Sequence, residues 1–151
     1  MHTVIIGSGA VGGYTGGHLA RAGFDITFVD TWPEHVETIR RDGVRVSGTQ
    51  GDYTVKVPAL HIADVQQLVR RPVDVAIIAT KAFDTAWAAR MIRDYLAPDG
   101  YVVSMQNSIN EYRLAEVVGC VAVRSGFTKS VKLFCPTTIS AAALFAVGTL
   151  L

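Results

Sequence analysis

The chain has 151 residues, of which 50% are hydrophobic and 18% are charged, and its formal net charge at pH 7 is +1. This size and composition are typical of one folded domain and exclude a disordered or fibrous protein. The basic residues cluster only as the pairs Arg40-Arg41 and Arg70-Arg71, which gives no indication of a nucleic-acid-binding surface.

The first predicted elements are a strand, a helix, a second strand and a second helix. Residues 2–6 form a short apolar run, a helix is expected over 11–22, and FDITFV (24–29) is typical of a buried strand. The next helix is predicted over 33–41, because a proline and two glutamates open it and two arginines close it.

The middle of the chain predicts a hairpin, a helix and a central strand. Residues 44–57 alternate apolar and polar side chains around a glycine-rich centre, which favours a β-hairpin. A helix near 63–70 follows. The run VDVAIIAT (73–80) is almost continuously apolar, as expected of a parallel strand covered on both faces.

The last predicted elements repeat the alternation of helix and strand. They are a helix over 85–96, a turn at APDG, a strand over 101–105, a helix around 110–118 and a strand near 121–125. Strands that alternate with helices predict a doubly wound, mostly parallel α/β sheet of the Rossmann type.

Residues 126–151 break this pattern and are expected to form a divergent apolar tail. No charged residue occurs from Leu133 to Leu151. As a helix, the last thirteen residues would rise about 20 Å, short of the roughly 30 Å of a bilayer core, so no membrane span is expected.

The chain opens directly with a strand, and Cys120 and Cys135 lack metal or disulfide spacing, which together favour a cytoplasmic protein with free thiols.

Six glycines lie between residues 7 and 17, although a glycine inside a helix costs roughly 1 kcal/mol relative to alanine. Between the first predicted strand and helix, the pattern G-x-G-x-x-G is met by Gly7, Ser8, Gly9, Ala10, Val11 and Gly12. In that context the first glycine makes the turn, the second lets a pyrophosphate approach the backbone, and the third packs the helix on the sheet. The pattern predicts an NAD(P)-binding loop, and a purely structural turn is the alternative.

Asp30 ends the second predicted strand, 18 residues after Gly12. A carboxylate there can accept hydrogen bonds from the adenine-ribose hydroxyls, and it would repel a 2′-phosphate. Since neither Thr31 nor Trp32 supplies a positive charge, the residues favour NAD. The alternative is a turn or helix-capping aspartate.

Two further strands end in polar residues at the same edge of the predicted sheet. Lys81 follows VDVAIIAT, and Gln106-Asn107 follow YVVSM. Ligands of open α/β sheets bind at the carboxyl ends of the strands. Lys81 is therefore a candidate for neutralising a cofactor phosphate, and Asn107 for orienting the nicotinamide or a substrate carbonyl. A solvated lysine and an Asx turn are the alternatives.

These motifs resemble the ketopantoate reductase (2-dehydropantoate 2-reductase) family. The resemblance covers roughly residues 3–119 and is carried by four segments: GSGAVGGYTGGHLARAG, VDTWPEHVETIRRDGVRV, IIATKAFDT and VVSMQNSINEYRLAEVVG. It implies an oxidoreductase that reduces a 2-oxo acid to a 2-hydroxy acid with NADPH, in pantothenate biosynthesis. It also implies that Gly7–Gly12 hold the pyrophosphate, that Lys81 approaches the phosphate and ribose, and that Asn107 contacts nicotinamide and substrate.

Three departures from the family pattern limit what the resemblance implies. The arginine expected after the second strand for NADPH is missing from Asp30-Thr31-Trp32, so NADP and NAD both stay open. Ser108 stands where the family has glycine. The C-terminal helical domain, which carries the family's catalytic lysine and glutamate, is expected to be absent.

We therefore expect a dinucleotide-binding domain over 1–125 that lacks full activity alone. Its expected partners are a small 2-oxo acid and either a second copy of the chain or the missing domain. A non-catalytic binding module or a truncated relic is the alternative. The four histidines show no paired ligand spacing, so no metal is expected.

Overall fold

The computed structural model describes residues 1–48, 51–107, 110–118 and 123–125. The strands are β1 (His2–Ile6), β2 (Asp25–Asp30), β3 (Val44–Val46), β4 (Tyr53–Val55), β5 (Ala59–His61), β6 (Val73–Ile78), β7 (Leu96–Ser104) and β8 (Val123–Ser125). The α-helices are α1 (Ala10–Arg21), α2 (Pro33–Asp42), α3 (Thr85–Arg93) and α4 (Glu111–Val118), and 3₁₀ helices cover Ile62–Arg70 and Ala82–Asp84.

Six of these strands form one sheet in the order β5-β2-β1-β6-β7-β8, and every pairing in it is parallel. The strands β3 and β4 pair separately as an antiparallel hairpin. The chain winds outwards from β1 through β2 and then returns to β6 on the other side of β1. The doubly wound α/β fold of the Rossmann type is thus confirmed, with its topological switch point between β1 and β6.

The sheet is covered on both faces, because successive residues of its central strands point to opposite sides. Ile6 and Ile78 belong to the core layer under α3, α4 and the longer 3₁₀ helix. Ile5, Ile77 and Phe28 belong to the other layer, with α2 and the β3–β4 hairpin. This two-sided burial explains why the central strands are almost continuously apolar.

The helix α1 packs through glycines rather than through large side chains. Its buried residues are Gly12, Gly13, Gly16 and Gly17. A Cβ atom at Gly16 would lie 2.6 Å from Cδ1 of Ile5 and would clash with the ring of Phe28. The glycines therefore allow the helix axis to approach the sheet closely, as the sequence predicts.

Some local predictions differ from the structure. The strand β5 was not expected, and it extends the sheet beyond β2. The predicted turn at APDG lies within β7, where the pairing register with β6 shifts between Val73 and Val75. The helix expected over 85–96 ends at Arg93.

Several expectations fall on residues outside the described part of the chain. These are the apolar tail, the two cysteines and Ser108. Within the described part, no helix combines the length and apolar character that a bilayer crossing requires.

Candidate functional site

The candidate site lies at the carboxyl edge of the parallel sheet, where the loops after β1, β2, β5, β6 and β7 meet. Backbone hydrogen bonds connect the start of the loop after β1 to the end of β2 and the end of β1 to the loop after β6. The Gly7 N–H donates to the carbonyl of Val29 at 2.9 Å, and the Ala79 N–H donates to the carbonyl of Ile6 at 2.9 Å. The strand ladder therefore continues up to the residues that begin the loops.

Gly7 makes the turn out of β1, as the glycine pattern predicts. Its φ is +92°, a conformation that favours glycine strongly. A Cβ atom there would lie 3.1 Å from the backbone nitrogen of Thr80 and from the carbonyl carbon of Ala79. The loop after β1 thus lies against the loop after β6, and a side chain at Gly7 would force them apart.

Gly12 and Gly9 differ in what surrounds them. A Cβ atom at Gly12 would clash with the carbonyl oxygen of Gly7, so the helix must start close to the turn. A Cβ atom at Gly9 would have no atom of the described residues within 4 Å apart from its chain neighbours, and the Gly9 φ of −68° is open to any residue. The fold itself therefore explains Gly7 and Gly12 but gives no reason for a glycine at position 9.

The N-terminus of α1 faces this open space. Gly9 is the N-cap residue, no side chain caps the helix, and Ala10 and Val11 are exposed. The first N–H groups of an uncapped helix lack intrahelical partners, and the helix dipole adds positive potential there. This end of α1 can therefore bind an anionic group.

Asp30 is held against the glycine-rich loop. Its Oδ2 atom accepts hydrogen bonds from the Ser8 N–H at 2.7 Å and from the Ser8 hydroxyl at 2.6 Å, while Oδ1 accepts from the Trp32 N–H at 3.1 Å. Partial burial raises the pKa of the Asp30 carboxyl, but these hydrogen bonds outweigh it and leave the pKa below its ordinary value. A negative charge is therefore fixed beside Ser8 at neutral pH.

Two histidines that the sequence did not single out for the site also contact these loops. The Nε2 atom of His35 lies 3.1 Å from the carbonyl oxygen of Ser8, and Nε2 of His61 lies 3.1 Å from that of Thr31. His61 Nδ1 accepts from the Ala63 N–H at 3.2 Å, which assigns the proton to Nε2. The sequence could have indicated the contact made by His61 only through its position as the last residue of β5, a strand that the sequence pattern does not predict.

Gln106 connects the loop after β7 to the loop after β6. Its side chain is buried, and its Nε2 donates to the carbonyls of Thr80 at 3.0 Å and Lys81 at 3.1 Å. Its Oε1 accepts from the Thr85 hydroxyl at 3.0 Å. Gln106 thus fixes the backbone of Lys81, a function that the sequence alone did not distinguish from that of Asn107.

Lys81 and Asn107 are both exposed at this edge, where they follow β6 and β7. The Asn107 carbonyl accepts from the side chain of Asn110 at 2.8 Å, which ties the loop to the start of α4. The structure therefore brings the residues predicted for the site to one edge of the sheet.

A groove of about 620 Å³ opens beside Ser8 and Gly9. It runs between α1, α2 and β3, and its lining includes Tyr14, His35 and Thr38. Within the described ranges, no three His, Cys, Asp or Glu side chains are grouped closely enough to hold a metal ion.

Comparison with known proteins identifies one family. The model of ketopantoate reductase PanE/ApbA matches residues 3–134. The chain is 33% identical over 120 residues to 2-dehydropantoate 2-reductase of Pyrococcus abyssi, which covers 79% of the chain and 37% of that relative. It is 34% identical over 130 residues to the enzyme of the same name from Halobacterium salinarum, covering 85% of the chain and 41% of the relative.

Solved structures show the same relationship. A D-mandelate dehydrogenase bound to NADH and anilino(oxo)acetate is similar with a TM-score of 0.75 and 26% identity, over 83% of this chain and 40% of that one. A PanE/ApbA family ketopantoate reductase from Ralstonia eutropha JMP134 gives a TM-score of 0.71 and 32% identity, again over 83% and 40%. The chain thus spans about two fifths of the length of these relatives.

Proposed function

The chain belongs to the ketopantoate reductase PanE/ApbA family, and we propose that it is the dinucleotide-binding part of a reductase that converts a 2-oxo acid to a 2-hydroxy acid. The proposed binding domain is residues 1–125. The pyrophosphate is assigned to the loop Gly7–Gly12, the adenine ribose to Asp30, a cofactor phosphate and ribose to Lys81, and the nicotinamide end to Asn107.

The surroundings of Gly9 are the observation that carries this proposal. Apart from the two neighbours of Gly9 in the chain, no described residue has an atom within 4 Å of a Cβ atom at this position, and its backbone conformation does not require glycine. A glycine that neither packing nor φ explains is accounted for by a ligand that needs the space. The uncapped N-terminus of α1 beside it suits the two negative charges of a pyrophosphate.

We assign NADH rather than NADPH as the preferred form. The ionised carboxylate of Asp30 would lie beside a 2′-phosphate, and like charges at that distance repel. Arg40, the arginine of α2 nearest in sequence, is already engaged by Glu37, Asp64 and the carbonyl of Ala59. The bound NADH of the structurally similar D-mandelate dehydrogenase supports the same choice.

The residues at the nicotinamide end would position the reactants. When bound, the dihydronicotinamide supplies the hydride. Gln106 holds the Lys81 backbone, the Lys81 charge is assigned to the cofactor phosphate and ribose, and the Asn107 amide is assigned to the carbonyl that is reduced. A proton must also reach the alkoxide oxygen, and a positioned acid contributes typically 10²–10⁴-fold to such a step.

A non-catalytic dinucleotide-binding module is the second candidate. The observations that favour it are the open space at Gly9 and the uncapped N-terminus of α1, since both concern the binding of a dinucleotide and neither concerns hydride transfer. Both candidates share the same binding site, and they differ in whether the chain oxidises NADH when a 2-oxo acid is added.

Binding and turnover by the full chain test the proposal together. Calorimetric titration with NADH should give saturable binding, and Gly9→Val should abolish it while the variant still unfolds cooperatively in urea. Gly9→Ala should weaken binding to a smaller extent, because a methyl group takes less of the space. NADH oxidation with ketopantoate as the substrate then separates the reductase from the module.

Gly23→Ala provides the control for loss of a glycine elsewhere. Gly23 lies after α1 at the opposite edge of the sheet and has a φ of +88°, so its substitution strains the fold without touching the loop. It should lower stability and leave NADH affinity unchanged. Full NADH affinity in Gly9→Val would contradict the assigned pyrophosphate position.

A further inference from the structure

Trp32 is the large aromatic side chain that the fold leaves uncovered beside Asp30. Its side chain is 59% exposed, although burying a residue of this size would stabilise the fold substantially. It lies at the carboxyl edge of the sheet, at the N-cap of α2. The fold therefore places a broad apolar ring in solvent at the edge where the loops of the candidate site meet.

The backbone around Trp32 is fixed on both sides. The Trp32 N–H donates to Oδ1 of Asp30 at 3.1 Å, and the carbonyl of Thr31 accepts from Nε2 of His61 at 3.1 Å. The Trp32 carbonyl accepts from the Val36 N–H at 3.1 Å, which starts α2. These bonds involve main-chain atoms of Thr31 and Trp32. They therefore hold the backbone at position 32 even when another side chain replaces the indole.

The indole ring also contacts a neighbouring side chain. It stacks on the imidazole of His35 with ring centroids 5.8 Å apart and an interplanar angle of 24°. His35 Nε2 in turn lies 3.1 Å from the Ser8 carbonyl of the glycine-rich loop. The indole is thus connected to the glycine-rich loop through one side chain.

From this geometry we infer that Trp32 is the stacking surface for the adenine base, an inference that rests on the proposed binding of a dinucleotide with its adenine ribose at Asp30. The base is attached to that ribose, so it must lie within a few ångströms of Asp30 and hence near Trp32. His35 covers one face of the indole, which leaves the exposed part of the ring for a planar base. Trp32 therefore determines affinity for the adenine half of the cofactor.

Titration with ADP-ribose tests this role without involving the nicotinamide. Trp32→Leu removes the aromatic ring but keeps an apolar side chain, and it should weaken ADP-ribose and NADH binding by about fivefold to fiftyfold. Trp32→Phe keeps a π-face and should retain most of the affinity. Both variants should unfold at the same urea concentration as the unaltered chain, because the side chain is mostly exposed.

Phe24→Ala is the matched control. Phe24 is 51% exposed and directly precedes Asp25, the first residue of β2. It therefore lies at the edge of the sheet opposite Trp32, and its loss should leave ADP-ribose affinity unchanged. In Trp87→Phe, where Trp32 is the remaining tryptophan, ADP-ribose should quench the tryptophan emission. Unchanged ADP-ribose affinity in Trp32→Leu would overturn the inference and leave the proposed function intact, whereas no ADP-ribose binding by the unaltered chain would overturn the proposed function itself.

Discussion

The contact between Ser8 and Asp30 joins the two parts of the sequence pattern that predict a dinucleotide site. Both donors of Ser8 bind one carboxylate oxygen, at 2.7 and 2.6 Å. Hydrogen bonds to an ionised group are stronger than neutral ones, so this pair fixes the loop after β1 to the end of β2. The carboxylate proposed for the ribose thus also supports the loop proposed for the pyrophosphate.

Asp30→Asn should destabilise the chain in a pH-dependent manner. The variant loses charge-assisted hydrogen bonds, and we expect its free energy of unfolding to fall by about 1–2 kcal/mol near neutral pH. Because the folded pKa of Asp30 lies below the unfolded one, the stabilisation is fully present above the unfolded pKa of about 3.9 and is lost as the pH falls through the folded pKa. Urea unfolding of both proteins from pH 3 to pH 7 measures the difference.

The difference between the two proteins isolates Asp30 from other groups that titrate in acid. His2 is one of these, because burial lowers its pKa and its protonation destabilises both proteins equally. Asp94→Asn is the control, since Asp94 is exposed and pairs with Arg93 on the surface. A difference between the unaltered chain and Asp30→Asn that stays constant down to pH 3 would contradict the role assigned to the carboxylate.

The sequence predicts those site residues that follow a recognised strand. It predicts Asp30, Lys81 and Asn107 because polar residues at the ends of buried strands converge at one edge. Gln106 lies at the same strand end, but only the structure shows that its amide donates to the carbonyls of Thr80 and Lys81. Such a contact depends on the distance between two loops, which composition and periodicity do not specify.

The helix α1 shows how one element combines packing with binding. Its glycines at positions 12, 13, 16 and 17 are buried against the sheet, the loop and the hairpin. Glycine lowers helix propensity by about 1 kcal/mol per residue, so the close approach must offset that loss. Tertiary contacts therefore hold this helix more than its own propensity does.

Gly16→Ala should separate the packing function of α1 from its binding function. The added methyl group would crowd Phe28 and Ile5, both fully buried, and overpacking of this kind costs about 1–3 kcal/mol. Better helix propensity offsets about 1 kcal/mol of this cost, which leaves a net loss of up to about 2 kcal/mol in urea unfolding. Gly9→Ala should change the unfolding free energy by less than about 0.5 kcal/mol, since its lost capping preference is offset by a less flexible unfolded chain.

Equal destabilisation by Gly16→Ala and Gly9→Ala would contradict the assignment of Gly16 to packing and of Gly9 to binding. Unchanged stability in Gly16→Ala would instead mean that the layer of Phe28 and Ile5 can repack around a methyl group.

The elements that sequence patterns missed are those defined by pairing with distant residues. The strand β5 has three residues, Ala59–His61, too few for a periodic signal, and it exists because it pairs with β2. The sequence predicts a turn that includes Gly100, yet a Cβ atom there would lie 2.6 Å from the Val73 carbonyl oxygen, so this glycine lets β7 pass close to β6. Long helices and apolar strands carry their signal locally and were predicted.

At the scale of the whole molecule, the candidate site lies where the two halves of the sheet join. The strands β1 and β6 pair along their length, and each contributes residues to both core layers. A ligand held by the loops after β1, β2 and β6 therefore contacts both halves at once. Its binding free energy should add to the stability of the whole described domain rather than to that of a single loop.

This linkage predicts a larger thermal stabilisation by NADH than by NADPH. At about 100 times its Kd, a ligand that binds only the folded chain adds about 2.7 kcal/mol, which raises Tm by roughly 5–10 °C for a domain of this size. NADPH at the same concentration should give a smaller shift, because its 2′-phosphate faces the Asp30 carboxylate. Asp30→Asn removes that charge and should bring the two shifts closer together in scanning calorimetry. An equal or larger shift with NADPH in the unaltered chain would contradict the coenzyme assignment, whereas a shift with neither coenzyme would contradict the site.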